Sequence, residues 1–230
     1  MASSRIAAVS EGGISTFFDG LALQDRKKIL AGAKPRRFAA NSVITNQRHP
    51  ADSLFLLTKG RARYFFDEHG GQRILLHWLA VGDLIGGKAL LAKPASYLLG
   101  SETVRECSVL VWDRATIRGF VAQYPSLLEN ALATASDYLA WYLAAHVALT
   151  CHSAEQRLAG VLASLVGVIG QTVPGGVELD VTNEELANAA NVTAFTACRL
   201  LSAWQRRGVV KKSRGKLLLR QPTRLFPHEL

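Results

Sequence analysis

Apolar residues change their spacing at Tyr124–Pro125, and a chain that does this cannot be built from one kind of layer throughout. Before that point they come in short runs rich in Val, Ile, Leu, Phe and Tyr: Ser42 to Thr45, Leu54 to Leu57, Ala62 to Phe66, Ile74 to Trp78 and Val109 to Trp112. Runs of this kind suit strands, and Gly60, Gly70–Gly71, Gly82 and Gly86–Gly87 fall between them where hairpins and bends need turn residues. The expectation is a compact antiparallel barrel or sandwich over residues 38 to 114. A helical region at residues 14 to 33 precedes it. There Ile14, Phe17, Phe18, Leu21, Ile29 and Leu30 are apolar, and Asp25, Arg26, Lys27 and Lys28 form the polar side.

After Pro125 the spacing is that of one long helix, and two apolar stripes run along it. Leu128, Leu132, Ala135, Leu139, Tyr142, His146 and Leu149 are alternately four and three apart, the seam of a coiled coil. Leu127, Ala131, Tyr138, Trp141, Ala145 and Ala148 form a second strip, suited to lie against the β-domain. A helix apolar on two sides needs two partners, and a second copy of the chain is an economical choice for one. The alternative is an ordinary core helix in a monomer. The helix is expected to break at Thr150 to His152, where Ser153 and Gln156 have capping-box spacing for a new helix carrying Leu158, Val161, Leu162, Leu165 and Ile169. Gly170 through Gly176 reads as a loop. The expected domains are therefore 1–124, a central helix and hinge at 125–152, and 153–230.

Charge narrows the choice of partners. The formal net charge is +9, which favours an anionic partner, nucleic acid or a membrane surface. No stretch reaches the roughly 18 apolar residues of a membrane span, and Met1 to Ser10 lacks the apolar core of a secretory signal, so a cytoplasmic protein without a membrane partner is expected. The cysteines, Cys107, Cys151 and Cys198, are widely spaced with no CxxC pair, so neither a disulfide framework nor an iron–sulfur cluster is expected.

The strongest local pattern is Thr182 to Gly208, TNEELANAANVTAFTACRLLSAWQRRG. Thr182 and Glu185 have capping-box spacing, with Leu186 and Ala190 facing inward and Ala187 small where two helices would cross. Asn191 suits a left-handed turn, and Thr193 can cap a second helix. On that helix Ala197, Leu200, Leu201 and Trp204 form the buried stripe, leaving Phe195, Arg199, Ser202 and Arg206 facing solvent. Such a face fits a major groove. Arg199 can bond guanine through two donors, Thr196 can meet a base edge or phosphate, and Phe195 can press on a thymine methyl. Val209 to Leu219 then reads as a wing hairpin with Lys211, Lys212, Arg214 and Lys216 around Gly215. From Arg199 to Arg224 there is no Asp or Glu, as phosphate contacts require.

With these segments in place, the chain from Ile14 to Arg220 resembles the family of the cyclic AMP receptor protein and the fumarate and nitrate reductase regulator, the CRP/FNR family of transcription regulators. The matching stretches are ADSLFLLTKGRARYF, VGDLIGG, the Tyr124–Pro125 helix start, SAEQRLAGVL, and the helix-turn-helix with its wing. The resemblance implies an α+β fold: an N-terminal antiparallel β-roll of the cyclic-nucleotide-binding kind, a long central dimerisation helix, and a C-terminal winged helix-turn-helix. It implies a homodimer on double-stranded promoter DNA with an inverted-repeat operator, and RNA polymerase as a partner through the segment Gln171 to Glu178. It also places DNA contacts on Thr182, Thr193, Ala194, Phe195, Thr196, Arg199, Ser202, Arg206, Lys211, Lys212, Arg214 and Lys216. An effector pocket would lie at Gly86, Gly87, Lys88, Ala89, Tyr97 and Leu98, with Tyr142 and His146 on the central helix.

Departures from the family pattern alter that expectation. Gly87 and Lys88 follow Gly86 where nucleotide binders carry a carboxylate, and Tyr97–Leu98 stand where they carry a phosphate-binding Arg-Ser pair. Cyclic AMP is not the expected effector, and the alternatives are another effector, redox control, regulation by abundance alone, or a sensory module that does not bind DNA. Ala194 and Phe195 replace the usual polar base readers, so the operator should differ too. Three other candidates stand apart from this frame. His146 can sense a ligand at the seam or be a hydrogen-bonded interface histidine, Cys151–His152 can ligate a metal or haem or be ordinary hinge residues, and Cys198 can be a redox brake or a small helix residue. His77 reads as a plain strand residue. A cupin-like metal enzyme would need clustered ligands that His49, His69 and His77 do not offer, and no phosphate loop, nucleophile elbow or carboxylate pair is present, so no enzymatic activity and no cofactor is expected.

Overall fold

Eight short strands follow from the glycine-punctuated half of the sequence: β1 (Lys34–Phe38), β2 (Val43–Thr45), β3 (Ser53–Lys59), β4 (Ala62–Asp67), β5 (Arg73–Leu79), β6 (Leu84–Ile85), β7 (Gly100–Thr103) and β8 (Cys107–Asp113). The computed structural model describes residues 15–71, 73–213 and 215–220. The strands form two antiparallel sheets, ordered β1-β8-β3-β6 and β2-β7-β4-β5. Strand β3 sits inside its sheet and is buried on both sides. Leu54 and Leu56 join Phe17, Ile29, Trp112, Ile117 and Leu127 in one apolar cluster, whereas Phe55 and Leu57 join Phe38, Leu79, Ile85 and Val109 in the other. Double-sided burial explains why Leu54 to Leu57 is a continuous apolar run rather than an alternating one.

Three strands fall outside the expected runs, the two-residue β6 and the longer β1 and β7. Strand β1 begins at Lys34, before Phe38, and its first four residues are exposed at the sheet edge, where charged side chains discourage pairing with other chains. Strand β7, Gly-Ser-Glu-Thr, carries no apolar signal yet is buried throughout. Its polar groups are paired internally. The hydroxyls of Ser101 and Thr45 lie 2.6 Å apart, Thr103 Oγ1 donates to the Ala39 carbonyl, and the Glu102 carboxylate bonds Arg63 and Arg73. Gly60, at φ +92, closes the turn after β3, and a Cβ there would lie 2.3 Å from the Glu106 carbonyl oxygen.

The helical region before β1 is a 3₁₀ turn at Thr16–Phe18 and a helix α1 at Leu23–Ala31; Ile14 lies outside the described residues. After β8 comes a helix that the sequence reading missed, α2 (Arg114–Gln123), capped by Asp113, whose carboxylate accepts from the Thr116 amide at 2.8 Å. The long helix α3 spans Ser126–Cys151. Its first turns are held tightly. Leu127 is fully buried, the Asn130 amide donates to the carbonyls of Phe17 and Asp19, and the Tyr124 hydroxyl donates to Asp25 at 2.7 Å.

The chain divides into two compact units, with the division inside α3, between Ala140 and Trp141. The second contains α4 (Ala154–Ile169), β9 (Gln171–Val173), β10 (Gly176–Leu179), α5 (Asn183–Ala189), α6 (Ala194–Arg206), β11 (Val210–Ser213) and β12 (Lys216–Leu219). Ser153 and Gln156 exchange both bonds of a capping box at the start of α4. Residues 170 to 176, expected as a loop, instead include β9 and the turn into β10, and the four strands form one sheet ordered β11-β12-β10-β9. Gly175 and Gly176 adopt positive φ, which permits so tight a turn.

Because Leu127 is enclosed where α3 meets the β-domain, Leu127→Ala should lower unfolding stability by about 2–5 kcal/mol in denaturant titration. A loss under about 1 kcal/mol would mean that this end of α3 is not held as described.

Candidate nucleic-acid interface

Helices α5 and α6 form a helix-turn-helix whose local bonds match the residue types at each position. Thr182 Oγ1 accepts from the Glu185 amide, and the Glu185 carboxylate accepts from the Thr182 amide in return. Leu186, Ala187 and Ala190 are buried. Asn191 takes φ +48, a left-handed value that asparagine tolerates, and the Val192 amide closes the turn by donating to the Ala187 carbonyl at 2.9 Å. Thr193 then caps α6, its hydroxyl accepting from the Thr196 amide. Thr193 and Thr196 also share a hydroxyl–hydroxyl bond, so part of their capacity is used within the protein.

Helix α6 turns Ala197, Leu201 and Trp204 inward, while Leu200, expected beside them, is only half-buried. Ala194, Phe195, Arg199 and Arg206 are exposed, Phe195 by 78 %, and Thr196 and Ser202 are half-buried. The wing is the β11–β12 hairpin, with Lys212 opposite Leu217 and Gly215 at φ +71 in the turn. Gln205 Oε1 accepts from the Lys212 amide, which ties the wing to α6. Lys211 is exposed; Arg214 lies outside the described residues.

Lys216 has a partner within the protein. Its ammonium bonds Glu178 on the neighbouring β10 at 2.5 Å, so the run without acidic residues in sequence has an acidic neighbour in space. Lys212 Nζ lies 3.7 Å from Cys198 Sγ, and that thiol is exposed. Cys151 is exposed as well, whereas Cys107 is buried, bonded to the carbonyls of Arg61 and Arg105, and its thiol is pushed up by desolvation. Among the described residues no group of three His, Cys, Asp or Glu side chains is placed to hold a metal ion.

In the β-domain the residues expected around an effector differ in burial. Gly86, at φ +85, leaves room taken by the Tyr97 ring, since a Cβ there would lie 2.9 Å from Tyr97 Cε1. The Tyr97 hydroxyl donates to the Ser53 carbonyl and accepts from the Ser53 amide, and burial pushes its pKa up. Ala89 is buried in the apolar core, whereas Gly87, Lys88 and Leu98 are exposed. Sequence reasoning missed an aromatic contact here. His77, in β5 as expected, packs 5.1 Å from the Tyr138 ring on α3, and Tyr64 meets the same ring edge-on. Tyr142, half-buried beside Trp141, has its hydroxyl pushed up to about 12 by desolvation, and His146 is exposed.

Along α3 the two expected stripes separate by burial. Leu127 is buried and Ala131, Tyr138, Trp141, Ala145 and Ala148 are half-buried. Leu128, Leu132, Ala135, Leu139 and Leu149 are exposed. Leu143 and Val147, outside the expected seam, are also exposed and extend the apolar row. No described helix is long and apolar enough to cross a membrane.

Comparison with known proteins matches this layout. Residues 35–124 fit the cyclic nucleotide-binding domain, and residues 156–226 fit the Crp-like helix-turn-helix domain. The chain is 25% identical over 192 residues to the cAMP-activated global transcriptional regulator Vfr of Pseudomonas aeruginosa, covering 82% of this chain and 90% of that one. It is 25% identical over 207 residues to the cyclic AMP receptor protein of Thermus thermophilus, covering 90% and 93%. The solved structure of FixK2 from Bradyrhizobium japonicum shares the fold, with TM-score 0.74 at 19% identity over 86% of this chain and 98% of that one. A sensor-type β-roll, a long helix and a capped helix-turn-helix with a basic wing, matched in this order, make the chain a DNA-binding transcription regulator of the CRP/FNR family.

Proposed function

We propose that the protein is a cytoplasmic homodimer that binds an inverted-repeat operator in promoter DNA and controls transcription there, without enzymatic activity. The observation that carries this reading is the exposed face of α6, where Phe195 and Arg199 stand free of the core beside a basic hairpin. In this reading Arg199 bonds guanine, Phe195 meets a thymine methyl, and Ala194, Thr196, Ser202 and Arg206 complete the groove contact. Thr182, Thr193, Lys211, Lys212, Arg214 and Lys216 serve the phosphates. RNA polymerase is the partner in transcription, met by the Gln171 to Glu178 segment.

A second copy covers the apolar row of α3, through Leu128, Leu132, Ala135, Leu139, Tyr142, His146 and Leu149 together with Leu143 and Val147. Two-fold symmetry then sets the recognition helices about 34 Å apart, in successive major grooves. Residues up to 124 act as the sensor, 125–152 as dimerisation helix and hinge, and 153–230 as the DNA-binding domain. The signal is not cyclic AMP. Supporting this, Gly87 supplies no carboxylate, and Tyr97 fills the space beside Gly86 with its hydroxyl already bonded. Another effector, oxidation at Cys198, or control by abundance remains in its place.

Arg199→Ala should lower affinity for the operator by about 1–3 kcal/mol, concentrated at one base position per half-site, in gel-shift titrations against single-base variants. Lys212→Ala should weaken all duplexes alike and flatten the salt dependence. Equal losses on operator and random duplex for both variants would contradict the assignment. Leu139→Glu should convert the dimer to monomers in sedimentation, because it places a charge within the proposed seam. A variant that still sediments as a dimer would remove the seam.

A further inference from the structure

One guanidinium in the second unit makes contacts that no part of the DNA-binding face accounts for. Arg157, on the first turn of α4 and half-buried, donates from Nη1 to the His152 carbonyl at 2.9 Å, from Nε to the Ala190 carbonyl at 2.9 Å, and from Nη2 to the Asn191 carbonyl at 3.1 Å. His152 is the first residue beyond α3, and its amide still donates to the Ala148 carbonyl. Ala190 and Asn191 are the turn of the helix-turn-helix, with Asn191 in the left-handed conformation. A single planar fork therefore bridges the end of the long helix and the turn that aims α6.

We infer that Arg157 is a positioning residue, a latch that passes the placement of the α3 end at His152 to the turn before the recognition helix. This rests on the DNA-binding reading above and adds the regulation of that site. The chemistry suits the task. Guanidinium is charged at every accessible pH, its donors are fixed in one plane, and charge-assisted bonds to carbonyls are shorter and stronger than neutral ones. Both turn carbonyls lie beyond α5, where no further helical turn donates to them. A lysine at 157 has three donors but no fork, so it cannot span the three acceptors in one geometry. Two residues earlier, Glu155 accepts from Trp204 Nε1 at 3.0 Å, so the start of α4 also holds the far end of α6. The turn and the C-terminal part of the recognition helix are thus both referred to one short segment next to the end of α3.

The test uses the full-length protein with Arg157→Ala and Arg157→Lys, an operator that the wild type selects from random duplexes, and a random duplex of equal length. Both variants should lose about tenfold or more in operator affinity while their affinity for the random duplex stays within about twofold, because phosphate contacts survive and groove alignment does not. In the DNA-free protein, the Asn191 and Val192 amides should exchange about tenfold faster, with the β11–β12 amides as protected as in the wild type. Equal losses on both duplexes, a uniform rise in exchange across the unit, or no change in either measurement would overturn the latch. If Arg157→Ala does not fold, Arg157→Lys carries the same comparison. A wild type that selects no operator would contradict the DNA-binding reading instead, and the exchange pattern would still decide the latch.

Discussion

A helix can hide one apolar face against its own chain, and α3 has two. Its first face is occupied: Leu127 is enclosed, Asn130 binds two backbone carbonyls, and Tyr138 meets His77 and Tyr64. Its second face presents Leu128, Leu132, Leu139, Leu143 and Val147 to water. Covering a leucine or valine fully is worth about 1.5–3 kcal/mol. Association costs about 4–15 kcal/mol in lost rigid-body freedom, so a row of this length favours self-association only when most of it is covered at once. That requirement suits two parallel copies of one long helix and does not suit a small ligand.

On the candidate DNA face, charge supplies the grip. Arg199, Arg206 and Lys211 project from exposed positions, whereas Lys216 already holds Glu178. An ion pair at the surface is worth at most about 1 kcal/mol, so a phosphate can compete for that lysine at small cost. Arg157 is different. Its three acceptors are backbone carbonyls at the hinge and the turn, which no phosphate replaces.

Local sequence grammar carried most of the helix-turn-helix. The capping boxes at Ser153 and Thr182, the left-handed Asn191 and the Thr193 cap depend on residues within a few positions of one another, and each is found where expected. Features that depend on distant partners were invisible. Strand β7 is polar because Thr45, Ala39, Arg63 and Arg73 satisfy it from elsewhere in the chain, and the Lys216–Glu178 and Arg157–Asn191 contacts likewise join separate segments. The exposed apolar row is wider than the expected seam for a geometric reason. A strict four-three repeat assumes 3.5 residues per turn, whereas a straight helix has 3.6 and drifts by about 20° per heptad. Over the length of α3 that drift brings Leu143 and Val147 to the open side and carries Tyr142 toward the half-buried side. Residues 170 to 176 read as a loop because two glycines and a proline outweigh so short a strand as Gln171–Val173.

The β-roll keeps the family architecture while Tyr97 occupies space beside Gly86, so sensing, where it occurs, does not follow from the fold alone. The central claim concerns DNA, and hydroxyl-radical footprinting of the wild-type protein on a duplex it selects from random sequence tests it most directly. Two symmetric protected segments, about one helical turn apart and saturating at two chains per duplex, are the predicted result. A single protected segment, saturation by one chain, or failure to select any sequence would contradict it.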